Sequence, residues 1–251
     1  MTQPHTLSQD HRPKNYLGST LLFIGIFSTA TIAGILILLT VPFSFAISYR
    51  ISALWCYLVI WMSKVFCGLH YQVEGLEHIA GVQSAIVLSN HQSAWETLAL
   101  RWILPTQVVL LKRSLVMLPI WGWALGSLKS IAIDRKKQRL ALRVLLEKGS
   151  EYLKQGLWVI VFPEGTRTEA GKIRAFSAGG AMLAQKTGYP VIPVAHNAGN
   201  YWPRYSFLKY PGVIKVKIGP AISSAGRKAA DINADAEAWI SRAIQNFNEA
   251  Q

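Results

Sequence analysis

The sequence is poor in the residues that build disulfide frameworks and metal centres. Its 251 residues include only two cysteines, Cys56 and Cys67, and both lie in an apolar segment. This pattern argues against a disulfide framework and indicates a reducing compartment. The six histidines form no Cys/His cluster and no HExxH pattern. We therefore expect neither a zinc ion nor another bound metal.

Acidic residues are also scarce, because 13 Asp and Glu stand against 26 Lys and Arg, which gives a formal net charge of +13. Such an excess favours anionic partners: nucleic acid, anionic lipid or phosphorylated substrates. The mean hydropathy of +0.25 is high for a soluble protein and points to membrane contact. The length suits one α/β domain with an extra element, and the sequence shows no internal repeat or second soluble domain.

Charge is absent from residues 16–49, a stretch long enough to cross a bilayer or to lie within one leaflet, since a spanning helix needs ~20 apolar residues. A second apolar stretch, residues 51–69, carries Trp and Tyr with a single charge, Lys64, which is typical of the headgroup boundary. We predict membrane-associated helices in residues 16–69, as a spanning or a half-immersed hairpin, after a disordered tail, residues 1–15. The apolar region is too long for a signal peptide, so we expect no cleavage.

From residue 70 onward, short apolar runs alternate with helical patterns. This alternation predicts an α/β domain, residues 70–251, with a layered, largely parallel or mixed sheet flanked by helices. Seven runs are predicted strands: Tyr71–Glu74, Ala85–Ser89, Val108–Lys112, Ser130–Ile133, Trp158–Phe162, Val191–Ala195 and Ile214–Ile218. Five segments are predicted helices: Ala94–Ile103, Leu115–Leu125, Lys136–Lys154, Ala178–Thr187 and Asp231–Phe247.

The stretch Ser89–Glu96, between a predicted strand and a predicted helix, contains a candidate catalytic pair. Ser93 is a natural N-cap, which places His91 on the incoming turn and Glu96 in the first helical turn. A histidine held by a carboxylate is a candidate general base. Alternatively, Ser93–Glu96 is a capping box, in which the glutamate bonds back to the N-cap amide and has no chemical role. The stretch alone leaves both interpretations open.

The stretch Phe162–Arg167 follows the most apolar strand of the chain and is the second candidate site. Pro163 ends the hydrogen-bonding ladder, and Gly165 allows a tight turn. Loops at the carboxyl ends of strands commonly bind ligands in α/β sheets, and arginine suits a bidentate contact with phosphate. We therefore expect Arg167 to contact an anionic group. The alternative is an ordinary turn with solvated charges.

Together with Val191–Val194, these two stretches resemble the motifs of the glycerophosphate acyltransferase superfamily. The most similar branch is that of the 1-acylglycerol-3-phosphate (lysophosphatidic acid) acyltransferases. Lys112 with Pro119–Trp123, and then Ile133–Arg135, match the intermediate block of this family. The resemblance covers residues 70–220, roughly, and the apolar N-terminal helices fit it as well.

The resemblance implies transfer of a fatty acyl group from an acyl thioester to the sn-2 hydroxyl of lysophosphatidic acid, which gives phosphatidic acid. His91 would take the proton of the hydroxyl as general base, and Glu96 would hold and polarise its imidazole. The acceptor would be bound by the remaining site residues, which are Lys112, Glu164, Gly165, Thr166 and Arg167. No cofactor is implied, because the co-substrate is acyl-CoA or the thioester of an acyl carrier protein.

Two positions depart from the family pattern. Glu96 replaces the usual aspartate, which is one methylene shorter, and Ser177 stands after Phe176 where the family often has lysine. The second change removes one cation that would assist phosphate binding. The basic run Arg135–Arg139 is interpreted as a solvated face, with contact to anionic lipid or to the phosphates of an acyl carrier as the alternative. His196 is interpreted as structural.

Three functions fit the sequence. The first is acylation of lysophosphatidic acid. The second is the same chemistry on another lyso-lipid, such as lyso-ornithine lipid or a lysophospholipid. The third is a non-catalytic basic protein that binds membrane or nucleic acid; it explains the charge but not the motifs. We expect membrane lipids and no nucleic acid as partners, because most tryptophans lie in apolar runs. The resemblance also implies the cell inner membrane, with the catalytic domain on the cytoplasmic side.

Overall fold

The computed structural model describes residues 13–249. The predicted disordered tail, residues 1–15, lies almost entirely outside these residues, as do the last two residues of the predicted α/β domain. The first helix begins at Tyr16 and the first strand at Leu69. The domain limits derived from the sequence stay predictions.

Two long apolar helices come first: α1, Tyr16–Thr40, and α2, Phe45–Cys67. Asn15 caps α1 through Oδ1, which accepts an amide hydrogen of the first turn at 2.8 Å, while its Nδ2 donates to the Phe66 carbonyl at 2.9 Å. These bonds tie the start of α1 to the end of α2. Gly68 then ends α2 in the left-handed region, at φ 65°. Both helices are long and apolar enough to cross a membrane.

The α1–α2 hairpin lies along the side of the following domain. Near its turn, the Tyr49 hydroxyl accepts the Gln107 amide hydrogen at 3.1 Å. At the opposite end, the Lys209 amide donates to Ser19 Oγ at 3.0 Å. The domain therefore contacts both ends of the hairpin.

Seven strands form one mixed sheet. In chain order they are β1 Leu69–Glu74, β2 Ile86–Ser89, β3 Gln107–Lys112, β4 Ile131–Ile133, β5 Trp158–Val161, β6 Val191–His196 and β7 Gly212–Ile218. Their spatial order is β1-β7-β6-β2-β5-β3-β4, and all neighbours are parallel except β6 and β7. The carboxyl ends of β2 to β6 therefore lie at one edge. The predicted fold class, α/β with a mixed sheet, is confirmed.

Helices cover both faces of the sheet. They are α3 Trp95–Ile103, α4 Trp121–Ser127, α5 Gln138–Lys154, α6 Gly179–Thr187 and α7 Ala229–Glu249. On one face, α2 and α3 bury Val59 and Trp95, among others. On the other, α5, α6 and α7 bury Leu145, Leu183 and Ile240. Each such side chain contributes about 1.5–3 kcal/mol when fully buried. The hairpin and α5–α7 therefore lie on opposite faces of the sheet.

The prediction of one continuous helix over Leu115–Leu125 is wrong. The segment forms a 3₁₀ helix, Arg113–Met117, followed by a turn and α4. Pro119 has no amide hydrogen and interrupts the helical ladder. Ile120 then adopts φ 62° and ψ −68°, and the Trp121 amide donates to the Pro119 carbonyl at 2.7 Å. This is a γ-turn, which β-branched residues rarely adopt. The other four predicted helices are present, with boundaries shifted by at most two residues.

Candidate active site

The carboxyl ends of five parallel strands meet at one edge of the sheet. His91 follows β2, the loop 164–167 follows β5, Lys112 ends β3 and Arg135 follows β4. Ligands bind at this edge in α/β sheets. The topology therefore brings the residues predicted from separate parts of the sequence to one edge of the molecule.

His91 and Glu96 form the centre of the site. His91 lies on the turn before α3, and Glu96 lies in the first turn of that helix, as the spacing predicts. His91 Nδ1 lies 2.7 Å from Glu96 Oε1, and both residues are buried. Because an ionised carboxylate only accepts hydrogen bonds, Nδ1 carries the proton and Nε2 keeps its lone pair. One imidazole nitrogen is thus available as a base.

Glu96 also caps α3. Its Oε1 accepts the amide hydrogen of Ser93 at 2.8 Å, and Ser93 Oγ accepts that of Trp95 at 3.1 Å. The Glu96 bond is that of a capping box, but Ser93 Oγ accepts the amide two residues on and not three. The N-cap position is Ala94, one residue after the predicted Ser93. Burial by itself would raise the pKa of the Glu96 carboxyl, but the hydrogen bonds from the His91 imidazole and from the backbone amides lower this pKa below its ordinary value. One carboxylate therefore has both geometries that the sequence left open.

Three contacts fix the position of His91. The Phe162 ring stacks on its imidazole, with ring centroids 4.3 Å apart and planes inclined by 20°. The His91 amide donates to Glu164 Oε1 at 2.8 Å, across 73 residues of sequence. The His91 carbonyl accepts the amide hydrogen of Thr168 at 2.7 Å. The segment that follows β5 thus holds the loop that carries the base.

Glu164 faces the protein interior. Besides the His91 amide, it binds the Arg174 amide, which donates to Oε2 at 3.2 Å. Burial raises the pKa of the Glu164 carboxyl, while these donors oppose the shift. Both oxygens accept backbone groups, and a carboxylate beside a phosphate is electrostatically unfavourable. We therefore expect Glu164 to serve substrate binding through the loop that it holds.

Lys112, Arg135 and Arg167 supply the positive charge of the site. Lys112 is exposed and Arg167 is partly buried. Arg135 Nη1 donates to the Gly165 carbonyl. Desolvation, together with the nearby charge of Arg167, lowers the pKa of Arg135. The ion pairs among the described residues include none of these three cations, so their charges are available to an anion.

Gly165 and Thr166 form the tip of the loop after β5. Gly165 adopts φ 72°, and a Cβ there would meet open space. The left-handed backbone, and not crowding, therefore favours glycine. Thr166 is partly exposed next to Arg167. The tip is thus accessible and carries a hydroxyl beside a cation.

Two residues of the site were missed by sequence reasoning. Arg135 was assigned to a solvated run, although it follows a predicted strand and Ile133–Arg135 match the intermediate block of the family pattern. Arg204 donates from Nη1 to the Arg167 carbonyl at 2.7 Å, and its Nη2 contacts Glu169 Oε1 at 2.8 Å. Because these partners lie 37 and 35 residues away, no local pattern indicates the role of Arg204.

Asn90 and His196 join the ends of β2 and β6 beside the catalytic pair. Asn90 Nδ2 donates to the His196 carbonyl at 2.9 Å, and Asn90 Oδ1 accepts the His196 amide hydrogen at 3.0 Å. His196 Nε2 donates to the Asn90 carbonyl at 2.9 Å, and its Nδ1 accepts the Ala198 amide hydrogen at 3.3 Å. Only the neutral imidazole satisfies both bonds, and burial lowers the pKa of His196. This agrees with the structural role predicted for His196.

The part of the chain that the structure describes contains no cluster of three or more His, Cys, Asp or Glu side chains able to hold a metal ion. Cys56 and Cys67 are buried free thiols. The absence of a metal and of a cofactor stays a prediction from the sequence.

The chain is similar in sequence and fold to known acyltransferases. A sequence model of the acyltransferase family matches residues 70–197. The chain is 46% identical over 200 residues to the 1-acyl-sn-glycerol-3-phosphate acyltransferase of Pseudomonas aeruginosa, which covers 78% of this chain and 77% of the relative. It is 32% identical over 195 residues to the 1-acyl-sn-glycerol-3-phosphate acyltransferase alpha of Mus musculus, which covers 76% and 68%.

A solved structure extends the similarity to the fold. The crystal structure of the 1-acyl-sn-glycerophosphate acyltransferase from Thermotoga maritima matches with a TM-score of 0.77 at 23% identity, over 93% of this chain and 95% of that one. The region matched by the family model includes His91, Glu96 and the loop 164–167. The chain belongs to the acyltransferase family, and within it to the 1-acyl-sn-glycerol-3-phosphate acyltransferases.

Proposed function

We propose that this enzyme transfers a fatty acyl group from an acyl thioester to the sn-2 hydroxyl of 1-acylglycerol-3-phosphate, giving phosphatidic acid for phospholipid synthesis. The observation that carries the proposal is the 2.7 Å contact between His91 Nδ1 and Glu96 Oε1, at the same sheet edge as Arg167. A buried base beside cations suits an acceptor that combines a hydroxyl with a phosphate. Relatives at 46% and 32% identity carry the name of this activity.

The reaction needs two proton transfers, one from the acceptor hydroxyl to His91 and one from His91 to the leaving thiolate. His91 Nε2 takes the proton of the acceptor hydroxyl while the hydroxyl oxygen attacks the thioester carbonyl. The tetrahedral intermediate collapses as the C–S bond breaks, and the imidazolium returns the proton to the leaving thiolate. The products are an ester and a free thiol. Glu96 keeps the other proton on Nδ1 and stabilises the imidazolium; base assistance of this kind supplies about 10²–10⁴-fold in rate.

The cations at the sheet edge bind the phosphate in this proposal. Arg167 offers a planar guanidinium that fits phosphate bidentately, and Lys112 adds a compact charge. Arg135 binds the Gly165 carbonyl at the loop tip, so it supports the loop and adds a third cation. Glu164 joins this loop to the backbone of His91 and of Arg174. The loop and its charges thus form one unit.

The hairpin supports a location at the membrane surface. Its strongly exposed apolar side chains include Leu17, Ile24, Ile32, Leu39 and Phe43. Such a surface is unfavourable in water and is stabilised by lipid. We place the hairpin in one leaflet, because the domain contacts both of its ends, and this keeps the active site near the headgroups of lysophosphatidic acid. In this proposal the leaflet is the cytoplasmic one of the cell inner membrane.

An acceptor panel tests the proposed reaction. Purified full-length protein receives a palmitoyl thioester, on CoA or on acyl carrier protein, with lysophosphatidic acid, lysophosphatidylcholine, lysophosphatidylethanolamine or lyso-ornithine lipid. We expect the highest kcat/KM with lysophosphatidic acid, because only this acceptor carries a terminal phosphate for Arg167. A higher kcat/KM with lyso-ornithine lipid, which has no phosphate, would favour the alternative acceptor. Transfer to none of them from either donor would contradict the proposal.

A further inference from the structure

A shallow groove on the surface of α5 carries concentrated positive charge. It is lined by two leucines and four charged residues: Leu142, Leu146, Arg139, Arg143, Glu147 and Lys186. Three cations and one carboxylate give the lining a net charge of +2, and the surrounding segment, residues 135–148, has a net charge of +5. Neither the catalytic pair nor the phosphate-binding loop lines this groove, so the proposed chemistry leaves its charge unexplained.

The apolar part of the groove distinguishes it from a simple phosphate site. Leu142 and Leu146 lie one helical turn apart, beside the row formed by Arg139, Arg143 and Glu147. Arg143 pairs with Glu147 at 2.7 Å in an exposed i,i+4 contact, which contributes little energy and leaves the guanidinium accessible. The stripe from residue 139 to residue 147 is ~12 Å long at 1.5 Å per residue, which matches about two turns of a partner helix. A surface that alternates cations with leucines complements an amphipathic helix with carboxylates on its rim.

The position of the groove indicates a soluble partner. Helices α5 and α6 pack on the face of the sheet opposite to α2 and α3, so a leaflet that receives the hairpin does not cover the groove. The groove is nevertheless connected to the active site. Arg135, three residues before α5, binds the Gly165 carbonyl. The Ser177 amide, two residues before α6, donates to the Pro163 carbonyl at 2.9 Å.

We propose that this groove docks an acidic helix of a soluble acyl carrier protein, which brings the acyl thioester to the active site. This inference rests on the proposed transfer reaction and adds the source of its donor. The rim cations attract the acidic helix and orient it, because exposed charges act mainly on the rate of encounter. The leucines then contact the apolar side of that helix.

The test compares two donors on one variant. Arg139→Glu/Arg143→Glu reverses two groove charges in the full-length enzyme. With palmitoyl-acyl carrier protein, we expect KM to rise about tenfold or more and its dependence on salt to weaken. With palmitoyl-CoA, kcat/KM should stay within twofold of the wild type. Arg242→Glu on α7 is the matched control, since Arg242 is exposed and donates to the Ala238 carbonyl of its own helix. This control variant should leave the kinetics with both donors unchanged.

Each other result has a defined meaning. Equal losses with both donors would overturn the proposal and assign the groove to anions in general. Unchanged kinetics with palmitoyl-acyl carrier protein would also overturn the proposal, because the groove would then be an ordinary solvated surface. Weaker binding of the variant to phosphatidylglycerol vesicles, with the carrier kinetics intact, would assign the groove to lipid. If the double variant fails to fold, Lys186→Glu reverses a charge on the other helix and is interpreted in the same way.

A direct binding measurement separates this proposal from the proposed reaction. If the wild type uses neither donor, the proposed reaction is refuted. The docking site can still be tested, by fluorescence anisotropy of labelled acyl carrier protein. We expect binding to the wild type and to Arg242→Glu, and at least tenfold weaker binding to the Arg139→Glu/Arg143→Glu variant. Absence of binding to the wild type, or equal binding to all three proteins, would overturn the docking site.

Discussion

The amide nitrogen of His91 lies 2.8 Å from Glu164 Oε1, so a buried hydrogen bond joins the two main motifs of the active site. The same carboxylate accepts the Arg174 amide through Oε2. Glu164 is only 4% exposed, and an unsatisfied buried amide costs about 1–3 kcal/mol. The placement of the base therefore depends on a residue that touches its backbone and not its ring.

Replacing Glu164 tests this dependence. Glu164→Ala leaves two amides without acceptors, so it should lower the free energy of unfolding by about 1–3 kcal/mol or more and reduce kcat by displacing His91. Glu164→Gln keeps one acceptor oxygen and should retain more of both. Thermal unfolding and steady-state kinetics measure the two effects. A Glu164→Ala enzyme with normal kcat and a raised KM for lysophosphatidic acid would instead indicate direct contact with the phosphate.

Arg167 should contribute to acceptor binding more than to chemistry. Arg167→Ala removes a charge-assisted contact worth about 1.5–3 kcal/mol, which corresponds to a rise in acceptor KM of about 10- to 150-fold. Arg167→Lys keeps the charge but not the planar guanidinium, so its acceptor KM should lie between those of the wild type and of Arg167→Ala. The KM for the acyl donor should change little. Initial rates over a range of lysophosphatidic acid concentrations provide the measurement.

Lys172→Ala is the matched control for Arg167. It removes a cation further along the same segment, but one that is exposed and paired with Glu169 at 2.6 Å. Such surface pairs contribute about 0–1 kcal/mol. If both variants raise the acceptor KM equally, general charge and not a specific arginine contact holds the phosphate.

Much of the fold follows from local sequence pattern. All seven predicted strands are present, with ends within two residues. The strands β2 and β5 are buried at every residue, and such runs are readable because they are short, apolar and bounded by polar turns. The pairing of His91 with Glu96 was also predictable, since it depends only on where α3 begins. The prediction of a helix over residues 115–125 was wrong because Pro119 interrupts it. Pro119 is a local signal, but the apolar pattern was given more weight.

The rest of the site depends on contacts that sequence spacing does not encode. Asn90 meets His196 across 106 residues, and Arg204 meets the carbonyl of Arg167 only because the loops at this edge fold together. Glu164 was predicted as a substrate contact, whereas its burial against backbone amides appears only in three dimensions. Local pattern thus identified the candidate catalytic pair, while the groups that position it required the structure.

Membrane attachment should be mainly hydrophobic. The exposed residues of α1 are apolar except Thr20 and Ser28, whose hydroxyls donate to carbonyls of the same helix. No charged residue lies within that helix. Salt screens exposed charges beyond ~3 Å at 1 M but does not weaken apolar burial. Washing membranes with 1 M NaCl should therefore leave the full-length protein in the pellet, and detergent should release it. Release of most of the protein by salt alone would show that the basic surface holds it.

Stability should fall in mild acid through His196. Burial lowers its pKa in the folded protein below the value of ~6.5 in the unfolded chain. Below pH ~6.5 the unfolded chain binds a proton that the folded protein does not, so this contribution to stability is complete above that pH and is lost as the pH falls towards the folded pKa. We expect Tm to drop between pH 7.5 and 5.5, and His196→Gln to show a smaller drop. Equal drops would assign the effect to other groups.

Glu96 separates catalysis from helix capping. Glu96→Gln keeps an oxygen that accepts the Ser93 amide hydrogen, so α3 should stay capped and the protein folded. It removes the negative charge that holds the proton on His91 Nδ1 and stabilises the imidazolium, so kcat should fall by roughly 10²-fold or more. Glu96→Asp should keep a good part of the activity, and His91→Ala should be folded and inactive. A folded Glu96→Gln enzyme with nearly normal kcat would leave Glu96 as a helix cap alone and assign the support of the base to another group.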